Sequence, residues 1–201
     1  MRKFLVILLG GLLVMGGCAR DVSSVPVPAE AIIQLSDQFT GKFDLRTSKG
    51  GAASSEDFKG KVPLVYFGFA TCPDVCPTAL GTLSAALNEL SEDELSEFVP
   101  LFITIDPERD TPETLEVYLS PFHARITGLT GGVDAVKSAG EGFKVYAEKQ
   151  PLEGSALGYT MNHTSFFYLV DRQGVPQVAV RDTVNAQQLA SALRAFLRDA
   201  A

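Results

Sequence analysis

One junction constrains this chain more than any other. The apolar run Val62-Pro63-Leu64-Val65-Tyr66-Phe67-Gly68-Phe69 reads as a buried strand bounded by Gly60. Thr71-Cys72-Pro73-Asp74-Val75-Cys76-Pro77-Thr78 follows it directly. A helical pattern comes next, with Leu80, Leu83, Leu87 and Leu90 on one face. Pro77 fits the first turn of that helix, where a missing N–H costs little. Two cysteines four residues apart therefore sit at a strand-to-helix turn. Residues i and i+4 share a helix face, so the sulfurs can meet. A helix N-terminus favours thiolate over thiol. Such a pair either forms a reversible disulfide or clamps a soft metal ion.

The chain has 201 residues, 46% of them hydrophobic, enough for one domain with a sizeable core. Its net charge is −7. Setting aside residues 1–17 removes Arg2 and Lys3 and leaves 15 basic against 24 acidic residues, or −9. That balance lacks the basic footprint of a nucleic-acid partner. Residues 1–17 read as a secretory signal: Arg2-Lys3, then an apolar run from Phe4 to Val14. Met15-Gly16-Gly17-Cys18 resembles a bacterial lipoprotein cleavage site, with Cys18 the lipidated residue. An uncleaved anchor helix is the alternative, but the run is short for a span of ~20 residues. Either way the domain faces away from the cytoplasm, tethered to a membrane. Residues 18–37 then form a lipidated cysteine and flexible linker, with Pro26 and Pro28, and residues 38–201 the domain.

Of the three cysteines, Cys72 and Cys76 remain once Cys18 is spent on the anchor. A bridge across so small a loop stabilises little, so the pair reads as functional rather than as a staple.

Further on, residues 39–45 and Gly50-Gly51 suggest a short strand and turn, and residues 55–60 a helical turn. Ser91 to Glu97 is an acidic, exposed stretch. Residues 99–105 read as a second buried strand, running into Asp106-Pro107-Glu108-Arg109-Asp110-Thr111-Pro112-Glu113. There Thr111 is a helix cap, Pro112 the first helical residue and Glu113 sits at the positive dipole end. Leu115, Tyr118, Leu119 and Phe122 mark that helix's apolar face. A strand is expected at 126–129, a weaker helix at 133–142, a strand at 143–148 and a Gly-rich loop at 153–162 leading to His163. Residues 165–170 and 175–180 make a hairpin around Asp171-Arg172-Gln173-Gly174. Asn185 with Gln188 resembles a capping box opening a final helix with Leu189, Leu193, Phe196 and Leu197. This is an α/β order of elements: a central mixed sheet flanked by helices, thioredoxin-like, with an N-terminal strand extension.

Ligands of open α/β sheets bind beyond the C-terminal ends of parallel strands. If the first two core strands are parallel and the 165–170 strand antiparallel, then Cys72, Cys76, His163 and the 106–110 loop converge on one edge. The chain has two histidines. His123, at a helix end, reads as a favourable surface charge, and His163 as the functional one. Two thiolates and an imidazole suit copper, whereas zinc wants a fourth ligand. Asp74 offers one, but reads better as a turn or cap residue. Asp106, Arg109 and Asp110 are either an ion-paired turn, a support behind the cysteine loop, or a docking surface.

Taken together, Phe67-Gly68-Phe69 with Cys72-Pro73-Asp74-Val75-Cys76-Pro77-Thr78, the 105–113 motif, Gly128-Leu129-Thr130-Gly131, His163-Thr164-Ser165 and Tyr168-Leu169-Val170-Asp171 resemble the Sco/SenC family. The resemblance spans about residues 39–198. It implies a thioredoxin-like fold outside the cytoplasmic membrane, on the periplasmic side. It implies copper, as Cu(I) or Cu(II), bound by Cys72, Cys76 and His163. The implied role is a metallochaperone for the dinuclear copper centre of cytochrome c oxidase. Its partners would be the oxidase's copper-centre subunit and another copper chaperone as donor. Thiol–disulfide activity toward that subunit's cysteines is the alternative, with Cys72 and Cys76 as redox pair. The wider cysteine spacing and the lack of proline in residues 154–165 argue against it as sole role. Peroxidase chemistry lacks a suitable cation, since Arg109 is flanked by acids. Two residues depart from the family pattern: Asn162 stands where an Asp is common, and Thr71 where a bulkier residue or His is.

Overall fold

The structure is a computed structural model, and it describes residues 25–199. The signal segment and Cys18 lie outside those residues. Among the described residues no helix is long and apolar enough to cross a membrane.

In chain order, β1 is Ile32–Gln34, β2 Asp44–Thr47 and β3 Ala52–Ser54; β4 is Val62–Gly68, α1 Val75–Asn88 and α2 Glu92–Glu97. Next come β5 (Phe98–Thr104), α3 (Pro112–Leu119), β6 (Thr127–Thr130) and α4 (Val133–Gly142). The chain closes with β7 (Ala147–Pro151), β8 (Tyr159–His163), β9 (Phe166–Val170), β10 (Pro176–Arg181) and α5 (Ala186–Asp199). Eight strands form one mixed sheet in the order β1-β10-β9-β4-β5-β6-β2-β3. Strands β7 and β8 form a separate two-stranded ribbon.

The centre of the sheet follows from the apolar runs. All seven residues of β4 are buried, and β5 lies parallel to it with Val62 opposite Phe98 and Gly68 opposite Thr104. Strands covered on both faces need such uninterrupted apolar sequence. On the other side β9 runs antiparallel, with Val65 opposite Tyr168. This is the arrangement that sets the C-terminal ends of β4 and β5 and the start of β9 on one edge. Phe67 packs on Phe143 and Tyr168 at ring separations of 5.2 and 6.0 Å. Helix α5 presents Leu189, Leu193 and Phe196 inward and packs beside α1. Thr111 caps α3, accepting from the Thr114 amide at 3.2 Å. Asn185 and Gln188 exchange the two hydrogen bonds of a capping box.

Several expectations shift. The expected linker ends in an edge strand: Ile32, Ile33 and Gln34 pair with β10, so the chain is already part of the sheet before residue 38. The strand expected at 39–45 begins at Asp44, because Gly41 turns the chain at φ 64° and the Thr40 and Gly41 amides bond to the Gly142 carbonyl rather than to a strand. The acidic 91–97 stretch is a helix, α2, opened by a Ser91–Glu94 capping box. Residues 143–146 are not a strand. They end α4, with Lys144 at φ 54° and the Val145 amide bonded back to Gly140 O at 2.8 Å. The strand starts at Ala147. The expected 153–162 loop is shorter, since β8 already begins at Tyr159, just after Gly158 turns the chain at φ +70°.

Candidate metal centre

Strand β4 carries the chain to the sheet edge, and Gly68 lets it end against the buried cysteine. A Cβ there would sit 2.9 Å from the Phe102 ring and 3.0 Å from Cys76 Sγ. The cysteine turn is held from below by Asp110, whose Oδ2 accepts the Ala70 amide at 3.0 Å and the Thr104 hydroxyl at 2.6 Å. The Asp110 backbone carbonyl takes the Thr130 hydroxyl at 2.8 Å. Helix α1 then begins at Val75, with Asp74 at the cap position. Among the described residues, the Asp74 carboxylate makes no capping bond to an amide and receives only the Thr78 hydroxyl, at 3.5 Å. A sulfur caps the turn instead, since Cys72 Sγ accepts the Cys76 amide at 3.4 Å.

Cys72 and Cys76 are both reduced, Cys72 half-buried and Cys76 fully buried. Their environments split the pair. Donation from the Cys76 thiol pulls Cys72 down to about 5, against the cost of burial; the Cys76 and Asp74 amides and His163 add to the fall. The Cys76 thiol is pushed far up, because it donates to Cys72 and is desolvated. The pair therefore holds its proton more tightly on Cys76 than on Cys72.

His163 ends β8, opposite Ala147. Its Nδ1 lies 2.8 Å from the Thr164 carbonyl, which assigns the ring proton to Nδ1. Nε2 faces Cys76 Sγ at 3.6 Å. Phe69 meets the imidazole edge-on at 5.9 Å. Asn162 is exposed and pairs with Glu148, so the Thr164 carbonyl orients the ring, not residue 162. Thr71 Oγ1 is buried without a partner.

The 106–110 loop does two jobs. Asp110 holds the cysteine turn, while Asp106 and Arg109 reach the ribbon. Asp106 is 1% exposed and accepts Arg109 Nε at 2.5 Å and the Tyr159 hydroxyl at 2.8 Å. Arg109 Nη1 donates to the Tyr159 carbonyl at 2.9 Å, and its guanidinium lies 3.8 Å over the Tyr159 ring. Lys149 pairs with Glu108. Neither Tyr159 nor Lys149 stands out in the sequence. The alternation of Tyr159, Met161 and His163 in one strand is the signal that finds the first, since alternate residues share a face.

His123 contacts none of these groups. Its amide donates to Ser84 Oγ at 3.0 Å, and its Nδ1 accepts the Arg125 amide at 3.2 Å. Burial and Arg125 lower its pKa, so it does not supply the favourable helix-end charge expected of it. A groove of about 420 Å³ between α4 and the ribbon, lined by Val133, Val136, Val145 and Met161, contains neither cysteine nor His163.

The junction therefore brings two sulfurs and an imidazole nitrogen together. They are adjacent but not arranged around an ion: among the described residues no three His, Cys, Asp or Glu groups form a ready cluster. The donor set still fits a soft ion, since sulfur and imidazole nitrogen are the ligands such an ion prefers.

Residues 33–198 match the SCO1/SenC family. The mitochondrial protein SCO2 of Saccharomyces cerevisiae is 42% identical over 134 residues, covering 67% of this chain and 44% of that protein. The chain thus spans less than half of that relative. Among solved structures, copper-bound ScoI of Bradyrhizobium japonicum is 35% identical with a TM-score of 0.71, over 79% of this chain and 99% of its own. Copper-bound yeast Sco1 is 36% identical with a TM-score of 0.74, over 80% of this chain and 89% of its own.

Proposed function

The chain belongs to the SCO1/SenC family and has its thioredoxin-like fold, and we propose that it is a membrane-anchored copper metallochaperone. In this reading Cys72, Cys76 and His163 hold one copper ion as cargo. The ion goes to the dinuclear copper centre of cytochrome c oxidase. One observation carries the proposal: His163, its Nδ1 held by the Thr164 carbonyl, turns Nε2 toward Cys76 Sγ at 3.6 Å. Relatives solved with copper bound support the choice of ion. Cys72 offers a thiolate, and loading releases the Cys76 proton. Three protein donors rather than a closed set of four leave room for an incoming ligand from the client, so transfer proceeds by exchange. Cys18 supplies the lipid anchor on the periplasmic face of the cytoplasmic membrane, the part of the expected 18–37 linker that precedes the Ala29–Ala31 turn supplies the reach from it, and a further copper chaperone loads the site.

The test is an anaerobic copper titration of the reduced chain, residues 19–201, beside Cys72→Ser and His163→Ala. Expected are one ion per chain, loss of binding in Cys72→Ser, and a changed sulfur-to-copper charge-transfer band in His163→Ala. Binding no stronger than that of a generic dithiol overturns the reading.

The unequal cysteines favour a second reading, a thiol–disulfide reductase. Cys72 thiolate attacks a client disulfide, and Cys76 resolves the mixed disulfide as the client's second thiol leaves. The client gains two electrons, and Cys72–Cys76 becomes the disulfide. Under this reading His163→Ala leaves reduction of a disulfide substrate largely intact.

A further inference from the structure

We propose that Tyr159 is a positioning residue: with Asp106 and Arg109 it latches the β7–β8 ribbon to the body and so holds the His163 imidazole against Cys76. The consequence for copper rests on the reading above; the latch itself rests on contacts.

Among the described residues, the ribbon has no backbone pairing to the main sheet. None of its ten residues is fully buried. An isolated two-stranded ribbon is marginal in water, so something else orders it. Its C-terminal end is tied by the chain, since β8 runs through Thr164 and Ser165 into β9. Its far end, at Tyr159 and Pro151, has only side chains to hold it. Tyr159, Met161 and His163 share one face of β8. Met161 packs on the core, and His163 meets Cys76. Tyr159 is attached by both its side chain and its carbonyl. Its hydroxyl donates to the buried Asp106 carboxylate at 2.8 Å, its carbonyl accepts from Arg109 at 2.9 Å, and its ring lies 3.8 Å under the guanidinium. Hydrogen bonds to charged groups out of water are among the stronger ones available. Four residues at ~3.3 Å each set Tyr159 about 13 Å from His163, and the paired ribbon between them transmits position as a stiff unit. With the latch open, His163 is free to swing off Cys76. The two thiols, set by β4 and α1, stay where they are.

Tyr159→Phe removes the bond to Asp106 and keeps the stack; Tyr159→Leu removes both. In the metal-free, reduced full-length chain in detergent, two measurements read the latch. Amide exchange across residues 147–163 is expected to rise by about tenfold or more in Tyr159→Leu, with an intermediate rise in Tyr159→Phe. Exchange across residues 62–68 is expected not to change. Carbethoxylation of His163 by diethyl pyrocarbonate is expected to accelerate, with His123 as the unchanged internal reference. In the copper arm, the Cu(II) charge-transfer and EPR spectra of Tyr159→Leu move toward those of His163→Ala, while Cu(I), satisfied by the two thiolates, binds as before. Unchanged ribbon exchange overturns the proposal. So does exchange that rises equally in the core, or His163 reactivity and a Cu(II) spectrum that stay put. If the wild-type chain binds no copper, the functional reading falls, and the two metal-free measurements still decide the latch.

Discussion

The cysteines and His163 meet at one point but are held by different means. The cysteines belong to the body: β4 is buried along its whole length, and Cys76, in the first turn of α1, is fully buried. His163 belongs to a ribbon in which no residue is fully buried. Apolar burial fixes the first, at roughly 25 cal/mol per Å² removed from water. A few polar contacts to one loop fix the second. The sulfur half should therefore respond to changes in packing, and the imidazole half to changes in hydrogen bonding. Breaking one should leave the other recognisable.

The largest effect should come from the body. Phe67 is 1% exposed and packed on Phe143 and Tyr168. Phe67→Ala is expected to cost about 3–5 kcal/mol. In a thermal melt of the metal-free chain that appears as a midpoint lower by about 10 °C. Exchange should rise in body and ribbon together, because the ribbon has nothing to rest on without the body. A midpoint within a degree or two of wild type would show that this layer is looser than its burial implies.

Next in size is a change at the seam. Gly68→Ala puts a methyl 2.9 Å from the Phe102 ring and 3.0 Å from Cys76 Sγ, and both neighbours are fully buried. Overpacking of this kind costs about 1–3 kcal/mol. Denaturant melts should show that loss, and the sulfur-to-copper charge-transfer band should shift as Cys76 is displaced. Ribbon exchange should stay near wild type, the mirror image of Tyr159→Leu. Equal loosening of the ribbon would mean that the halves are coupled through Cys76 rather than held separately.

The same division explains what could be read from the sequence. Strands β4 and β5 and helices α1 and α5 announce themselves, because a core element must be apolar in its own period. The ribbon does not. Ala147-Glu148-Lys149-Gln150-Pro151 offers no apolar alternation, and these residue types carry little β-preference. Phe143 and Val145 drew the expected strand four residues too early, although Phe143 is buried at a helix end against Phe67. Strand β1 was hidden among prolines and exists only because β10 offers an edge. The acidic-proline motif stood out, but its division of labour needed the fold. Nothing in the spacing says that Asp110 turns beneath the cysteines while Asp106 and Arg109 turn toward the ribbon.

Asp110 gives a test of intermediate size with a definite sign. Burial raises its pKa above the ordinary value; the Thr104 and Ala70 bonds and Arg109 oppose that, and Asp106 adds to it. One oxygen, Oδ1, is buried without a partner. The folded state therefore holds this proton more tightly than the unfolded chain does. Its contribution is fully present below the ordinary carboxylate value of about 4, and is lost as pH rises through the raised folded value. Asp110→Asn cannot ionise and should lack that loss. Asp57, Glu94, Glu97 and Glu113 have lowered values and give the opposite trend in both proteins. The quantity to plot is therefore the stability difference between variant and wild type against pH. It should move in the variant's favour by about 1 kcal/mol across the window. Parallel curves would mean that Asp110 stays protonated or solvated throughout.

The smallest effect should come from the outer edge of the latch. Lys149 pairs with Glu108 and sits 4.6 Å from the Tyr159 ring centroid, but both charged groups are in solvent. Exposed pairs are weakened by water and by side-chain entropy. Lys149→Ala should leave the global melt unchanged and raise ribbon exchange only slightly. Even that rise should vanish in about 1 M salt, where the screening length is ~3 Å. Tyr159→Leu should loosen the ribbon at either salt concentration, because Asp106 is buried and its bonds are not screened. If Lys149→Ala loosened the ribbon as much as Tyr159→Leu does, the imidazole half would be held by surface charge. Its grip on His163 would then follow the ionic strength of the surrounding solution, and the buried Asp106–Arg109–Tyr159 contacts would be packing rather than a latch.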